Sequence, residues 1–382
     1  MMGTYQMCTR CVMDTTDPDI QFDENGVCNH CHQYDELVRQ RVLTGKEGER
    51  KLQQIVAQIK RAGAGKPYDC VIGVSGGVDS TFVAYKVKQL GLRPLAVHLD
   101  NGWDSELAVK NIENICHKLE IDLHTIVLDW EEFKDLQLTF LNASTPDSEI
   151  PSDHAIMSSM RHTAARIGVR YIVTGCNTRT ETHLPSAWSQ GHMDWRYIHS
   201  IHKQFGTVEL KTFPRLDYWT TLRYARTQQL VDILDYLDYV KKDAMPVLER
   251  ELGWRYYGGK HYESIYTRWY QGFWLPQKFG YDKRRMHMSS LICSGEVTRA
   301  KALEELKAPS YDPALQEEDT AYVIKKLGLT DETFEQLLKS PKKSFWDYPS
   351  YARLGQNRVY RALWAVYRAL KKAIGLRQHL SE

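Results

Sequence analysis

Short apolar runs rich in β-branched residues recur through the middle of the chain, at Cys70–Val74, Pro94–Leu99, Leu123–Leu128 and Tyr171–Thr174. Each has the length of a strand, and longer helical patterns lie between them at 79–90, 103–120 and 153–167. Strands alternating with helices predict an α/β fold built on a parallel sheet with right-handed crossovers. Ligands of such sheets gather at the carboxyl ends of the strands, so the residues just after each run are the functional candidates. Ahead of this core, Asp35–Lys60 reads as a polar amphipathic helical stretch, interrupted at Gly45 and Gly48. Behind it, 296–382 reads as several helices punctuated by Pro341 and Pro349, with a basic amphipathic stretch over Tyr351–Leu376 that suits a packing or partner helix. The expected division is a cysteine module at 1–34, a helical linker at 35–66, the core at 67–215 and an aromatic-rich, helical region at 216–382.

Three strand ends carry candidate chemistry. The first is Ser75-Gly76-Gly77-Val78-Asp79-Ser80. Paired glycines let backbone approach phosphate oxygens, and the helix beginning near Asp79 offers uncapped N–H groups and partial positive charge to an anion. Ser75 and Ser80 add hydroxyls, and Asp79 offers Mg²⁺ the hard oxygen it prefers. No lysine follows the glycines, so this is not a Walker loop; Gly63-Ala64-Gly65-Lys66 fails that pattern too, because Pro67 stands where Ser or Thr is required. The second candidate is Asp100-Asn101-Gly102, and the third is Gly175-Cys176-Asn177 running into Glu181. A plain helix-capping turn is the competing reading of the third.

Cys8-x-x-Cys11 and Cys28-x-x-Cys31 have the spacing of a four-cysteine zinc ribbon or knuckle. Four thiolates leave no open coordination position, so the role expected is structural; an iron–sulfur cluster and substitution by His30 or His32 are the alternatives. The polar turn Asp23–Gly26 would join the two pairs as a hairpin. With 42% hydrophobic and 26% charged residues and a net charge of +2, the chain reads as globular, without a global field that would draw it to nucleic acid. It has no apolar run approaching about 20 residues and no signal-peptide pattern at its start, so it is expected in the cytoplasm. From Leu184 onward Trp and Tyr crowd together, reading equally as a site for sugar rings and bases or as packing. The basic cluster Lys278–Arg285, with Lys278, Lys283 and Arg284, reads either as a neutraliser of departing pyrophosphate or as a solvated turn.

The motif Ser75–Ser80 resembles the signature of the N-type ATP pyrophosphatase (PP-loop) family, which splits ATP between its α and β phosphates. Ser75, Gly76, Gly77, Asp79, Ser80, Asp100, Asn101, Gly175 and Asn177 then become the ATP-binding candidates. That resemblance also makes Glu181 a candidate second Mg²⁺ ligand beside Asp79. The longer string Cys8–Pro18, Gly26–Cys31, Ser75–Ser80, Leu99–Trp103 and Lys278–Glu296 resembles the N-acetyl sugar amidotransferases of bacterial surface-polysaccharide synthesis. That family implies conversion of an acetamido to an acetamidino group on a nucleotide-activated sugar, through an O-adenylyl imidate. It also implies ammonia from a separate glutaminase resembling the histidine-biosynthesis pair, since no cysteine here sits in a recognisable glutaminase elbow. A PP-loop tRNA-thiolating enzyme is the alternative, with Cys176 as the thiol to watch.

Overall fold

The computed structural model describes residues 4–259 and 262–356. Five strands, β1 (Cys70–Gly73), β2 (Pro94–Asp100), β3 (Asp122–Val127), β4 (Tyr171–Thr174) and β5 (Gln229–Asp232), form one sheet in the order β3-β2-β1-β4-β5. All four pairings are parallel. The chain runs outward from β1 through β2 to β3, then returns to the far side of β1 for β4. The topological switch point therefore lies between β1 and β4, where such sheets open a crevice for ligands.

Side-chain alternation assigns the two faces. Cys70, Ile72 and Val74 pack into one apolar cluster with Ala96, Tyr171 and Val173, beneath helices α2 (Gly45–Ala62), α3 (Val78–Gln89) and α4 (Glu106–Leu119). Val71, Val97 and Ile172 point the other way, against Met160 and Ala164. Those two residues belong to α6 (Ile150–Arg166), which follows α5 (Trp130–Ala143). α1 (Asn29–Arg41) precedes α2, and the break between them falls at 42–44 rather than at Gly48.

The sheet takes its fifth strand from 229–232, so the core extends past the expected boundary at 215. α7 (Thr178–Glu181), α8 (Trp195–Phe205) and α9 (Tyr218–Thr227) lead to that strand, and α10 (Lys241–Leu252) follows it. The rest is helical: α11 (Ile265–Trp269), a π turn over Tyr270–Trp274, α12 (Leu275–Phe279), α13 (Lys283–Cys293), α14 (Arg299–Glu305), α15 (Pro313–Leu327), α16 (Asp331–Lys339) and α17 (Tyr351–Gln356). Beyond 356, the expected basic stretch lies outside the described residues.

Most of the crowded aromatics are core. Trp188, Trp254, Trp269, Trp274, Tyr197, Tyr266 and Tyr270 are fully buried. Trp269, Tyr270 and Trp274 knit α11–α12 to α5, α8 and α16 in a single cluster with Phe133, Tyr197 and Phe334. Packing is therefore the correct reading for these rings; Trp219 and Tyr256 remain exposed.

A phosphate loop, a carboxylate cluster and a four-thiol centre

The loop Ser75–Ser80 sits at the end of β1 and is held from outside. Gly76 Oxygen accepts from Trp254 Nε1 at 2.9 Å and from Asn111 Nδ2 at 3.5 Å. Gly76 adopts φ +76°, and a Cβ there would lie 2.7 Å from Ala108 O, so this position requires glycine. Inside the loop, Ser80 Oγ accepts from Ser75 N at 3.3 Å and donates to Gly77 O at 3.1 Å. Gly77 is the N-cap of α3 and has no side chain to cap it, which leaves the anion-attracting end of that helix at the mouth of the crevice. Gly175, at the end of β4, lets that strand press against the same turn: a Cβ on it would stand 3.3 Å from Ser80 N.

Asp79, in the first turn of α3, meets two partners that no motif pointed to. Tyr239 donates to Oδ1 at 2.5 Å and Lys241, at the start of α10, to Oδ2 at 3.1 Å. Burial alone would pull the Lys241 pKa down, but Asp79, Glu181 and Glu263 outweigh it and raise it. Burial, Asp79, Glu296 and Glu181 together push the Tyr239 phenol far up. Tyr257 reaches the loop as well, with its hydroxyl 3.3 Å from where a Gly77 Cβ would be. The structure thus brings Asp79 and Glu181 into one electrostatic cluster, adds Glu263 and Glu296 to it, and puts a lysine there from outside the loop. Oxygen donors of this kind fit Mg²⁺. Asn177, 3% exposed, caps α7 through Oδ1 but leaves Nδ2 without a hydrogen-bond partner among the described residues, a buried donor facing the β4 end. It is both a helix cap and a candidate ligand group.

Asp100 and Asn101 lie at the end of β2, and their oxygens close their own turn, accepting from Gly102 N at 2.8 Å and Trp103 N at 3.1 Å. Asn101 Nδ2 reaches Ser152 Oγ of α6 at 3.4 Å. His98 links the same strand end to the loop, pairing with Val74 O and, at 3.1 Å, with Asp104. Burial lowers its pKa, but Asp104 more than compensates, so it is raised overall.

The basic cluster is not brought to the loop. Lys278 is buried and donates to Leu337 O and Ser340 Oγ at the end of α16. Arg284 pairs with Asp282 and donates to Ala308 O and Pro309 O. Lys283 is buried beside Asp147 at 3.8 Å. The expected pyrophosphate cations therefore serve packing and ion pairs elsewhere, and Lys241 is the cation at the loop. Burial, with Lys342 nearby, lowers the Lys278 pKa from 10.5 to about 8. The unfolded chain then binds the extra proton between those values, so stability is expected to rise with pH from about 8 to 10.5 as that charge is relieved. Denaturation midpoints across that range should show the slope in the native chain and lose it in Lys278→Met.

The four N-terminal cysteines converge. Cys8–Cys31, Cys11–Cys28 and Cys28–Cys31 sulfurs are 3.9, 3.7 and 3.8 Å apart. A tetrahedral ion with Zn–S bonds of about 2.3 Å places its sulfurs about 3.8 Å apart, so the donor set fits one ion rather than a multi-iron cluster. Backbone N–H groups of Cys11 and Cys28 point at Cys8 Sγ at 3.4 and 3.3 Å, as thiolates require. His30 and His32 are paired with Asp17 and Asp23 and leave the cysteine set complete. The hairpin forms as expected, with Phe22 bridged to Cys28 and Gly26 at φ +74°. The module is docked on the C-terminal region: Arg299 donates to Cys8 O and Cys11 O at 2.9 Å, and Arg285 meets Asp14 at 2.9 Å.

Comparison with known proteins agrees with this layout. Residues 69–187 match the family model described as Queuosine biosynthesis protein QueC, and residues 263–364 match that of the LPS biosynthesis protein WbpG-like, C-terminal domain. The probable mitochondrial tRNA-specific 2-thiouridylase 1 of Caenorhabditis elegans is 31% identical over 121 residues, which is 28% of this chain and 32% of the relative. The tRNA(Ile)-lysidine synthase of Chlamydia pneumoniae is 35% identical over 71 residues, 18% of this chain and 22% of the relative. The chain thus spans a third or less of the length of these relatives. Among solved structures, an NMN synthetase from Francisella tularensis aligns with 14% identity and TM-score 0.34, covering 75% of this chain and 96% of that one. No helix among the described residues is long and apolar enough to cross a membrane. One chain thus joins a segment similar to the QueC model, over 69–187, to a segment similar to the WbpG-like C-terminal domain of LPS biosynthesis, over 263–364.

Proposed function

We propose that this protein is an ATP-dependent amidotransferase, converting the acetamido group of a nucleotide-activated N-acetyl sugar to an acetamidino group in the cytoplasm. The observation that carries the reading is the pairing of a complete adenylating loop with a C-terminal segment, 263–364, matched by an LPS-biosynthesis domain. The loop 75–80 and the α3 N-terminus receive the triphosphate. Lys241, held charged by its carboxylate neighbours, offsets the charge that grows on the phosphates. Asp79 and Glu181 would hold Mg²⁺, which when bound shields phosphate oxygens from each other.

An amide oxygen is a poor leaving group, and adenylation changes that. The acetamido oxygen attacks the α phosphorus, an O–P bond forms, and the bond to the β-phosphate oxygen breaks with release of pyrophosphate. Ammonia, supplied by a partner glutaminase in this reading, then adds to the imidate carbon, and the C–O bond breaks with its electrons going to AMP. The acceptor oxygen therefore leaves in AMP. With ¹⁸O in the acetamido group, label should appear in AMP, and AMP formation should need both sugar and ammonium. Unlabelled AMP would overturn the reading.

The competing reading, tRNA thiolation, draws on the tRNA-specific 2-thiouridylase relative. It needs a reactive thiolate, and Cys176 is the thiol at the β4 end. Desolvation by its surroundings, then Glu181, Asp232 and Asp235, push its pKa up to about 11. Cys70 is raised to about 12 by burial and Cys116 to about 11. None of these three thiols is drawn toward ionisation, although Cys176 is exposed; Cys293, which Cys31 and His183 lower, packs at the four-thiol centre instead. Cys176→Ser is therefore expected to keep AMP formation within about threefold of the native rate; loss by orders of magnitude with a tRNA requirement would favour thiolation.

A further inference from the structure

Two further metal-type donors, Cys293 and His183, converge on one edge of the four-thiol centre. Cys31 has a third sulfur neighbour in Cys293, 3.8 Å away, and the Cys293 sulfur lies 3.7 Å from His183 Nε2. The donor atoms of Cys31, His183 and Cys293 all lie within 4.8 Å of one another. A tetrahedral ion with Zn–S bonds of about 2.3 Å and a Zn–N bond of about 2.0 Å sets sulfur from sulfur by about 3.8 Å and sulfur from nitrogen by about 3.6 Å. The imidazole is also prepared for such an ion. Ser290 Oγ donates to Met286 O at 3.2 Å, so it accepts from His183 Nδ1, 3.0 Å away. That places the ring proton on Nδ1 and leaves the Nε2 lone pair facing Cys293, the arrangement a metal-bound histidine needs. His183 is fully buried, with the rings of Tyr34 and His30 packed against it, whereas Cys293 is half-buried and opens the group to solvent.

We propose that Cys31, His183 and Cys293 bind a second ion of the zinc class, with Cys31 as a thiolate bridge between the two ions and the fourth position open to water. A thiolate sulfur has lone pairs enough for two metals, and a second dication offsets the negative charge that four thiolates leave around the first. Two thiolates and an imidazole select a borderline-soft ion over Mg²⁺ or Ca²⁺. Three protein ligands hold an ion less tightly than four, so the bridged ion exchanges while the four-thiol ion stays, and a dialysed chain keeps only the latter. The three ligands come from α1, from the residue two places beyond Glu181 at the end of α7, and from the last residue of α13. When filled, the site therefore ties the cysteine module, the α7 end and the C-terminal helices to one point. It is independent of the reaction assigned to the loop.

The whole chain, reduced, dialysed and holding about one zinc, should take up about one further equivalent of Co²⁺ saturably. The uptake should bring thiolate-to-cobalt charge-transfer absorption and the d–d bands of a four-coordinate ion. Cys293→Ser and His183→Gln should each weaken it by about a hundredfold or more, while atomic emission shows the first zinc retained. Ser290→Ala keeps all three ligands and removes only the acceptor of the Nδ1 proton; it should weaken cobalt binding about tenfold, and it decides the matter if a ligand variant fails to fold. No second equivalent in the native chain, cobalt that enters only as zinc leaves, or charge-transfer bands and affinity that Cys293→Ser and Ser290→Ala leave unchanged, overturns the proposal.

Discussion

Replacing Asp79 by Asn should lower pyrophosphate release by about a thousandfold at saturating ATP, sugar and ammonium, while the thermal midpoint moves little. The side chain is isosteric and part-exposed, so the fold has little reason to fail. Its charge, however, is the largest favourable influence on Lys241, 3.1 Å away, and accepts the Tyr239 hydroxyl at 2.5 Å. Asparagine is a poor Mg²⁺ ligand, and without the Asp79 charge the burial that opposes ionisation of Lys241 is offset less, by Glu181, Glu263 and Glu296. The lysine pKa then falls, so any residual activity should be lost at lower pH than in the native enzyme. Lys241→Met should cost about a hundredfold or more by removing the cation directly. Because the two side chains act as one unit, the double variant should be far less impaired than the product of the single losses. Native turnover by Asp79→Asn would remove the residue from the chemistry.

That pair also marks where sequence reading ended. Continuous apolar runs were enough to place four strands, since strands buried on both faces need apolar side chains at nearly every position: Val71 points one way, Cys70 and Ile72 the other. The loop was legible because glycine at 76 is demanded by backbone geometry, which a sequence records directly. Lys241 was not. It stands over 160 residues away in the chain, on a helix with no motif, and reaches Asp79 only because β5 pairs with β4. β5 itself, Gln229–Asp232, is too short and too polar to stand out, and its two exposed residues reflect an edge strand. The basic run at 278–285 misled for the opposite reason. Charge density along a sequence says nothing about which way each side chain turns, and α12 and α13 send Lys278 and Arg284 to carbonyls of the C-terminal helices. Aromatic crowding was ambiguous by nature, because rings pack cores as readily as they bind ligands.

Cys28→Ser is expected to strip the four-thiol centre of its ion and unfold the module around it. Three thiolates within 4.8 Å of one another, without a cation between them, repel strongly, and the segment 4–28 has few apolar residues of its own to fall back on. Structural zinc contributes about 10–16 kcal/mol of apparent binding free energy in small domains, most of which is lost with one ligand. The effect should be local. The clusters on the two faces of the sheet contain none of these cysteines, whereas the cluster that does also contains Trp188 and Met286. Zinc content by atomic emission should fall from about one per chain to near zero, proteolysis should open the first 30 or so residues, and ATP binding at the loop should persist. A Cys28→Ser chain that keeps its zinc would show that the ion sits on another donor set. One that loses zinc but keeps native protease resistance would show that Arg285 and Arg299 hold the module to α13 and α14 without it.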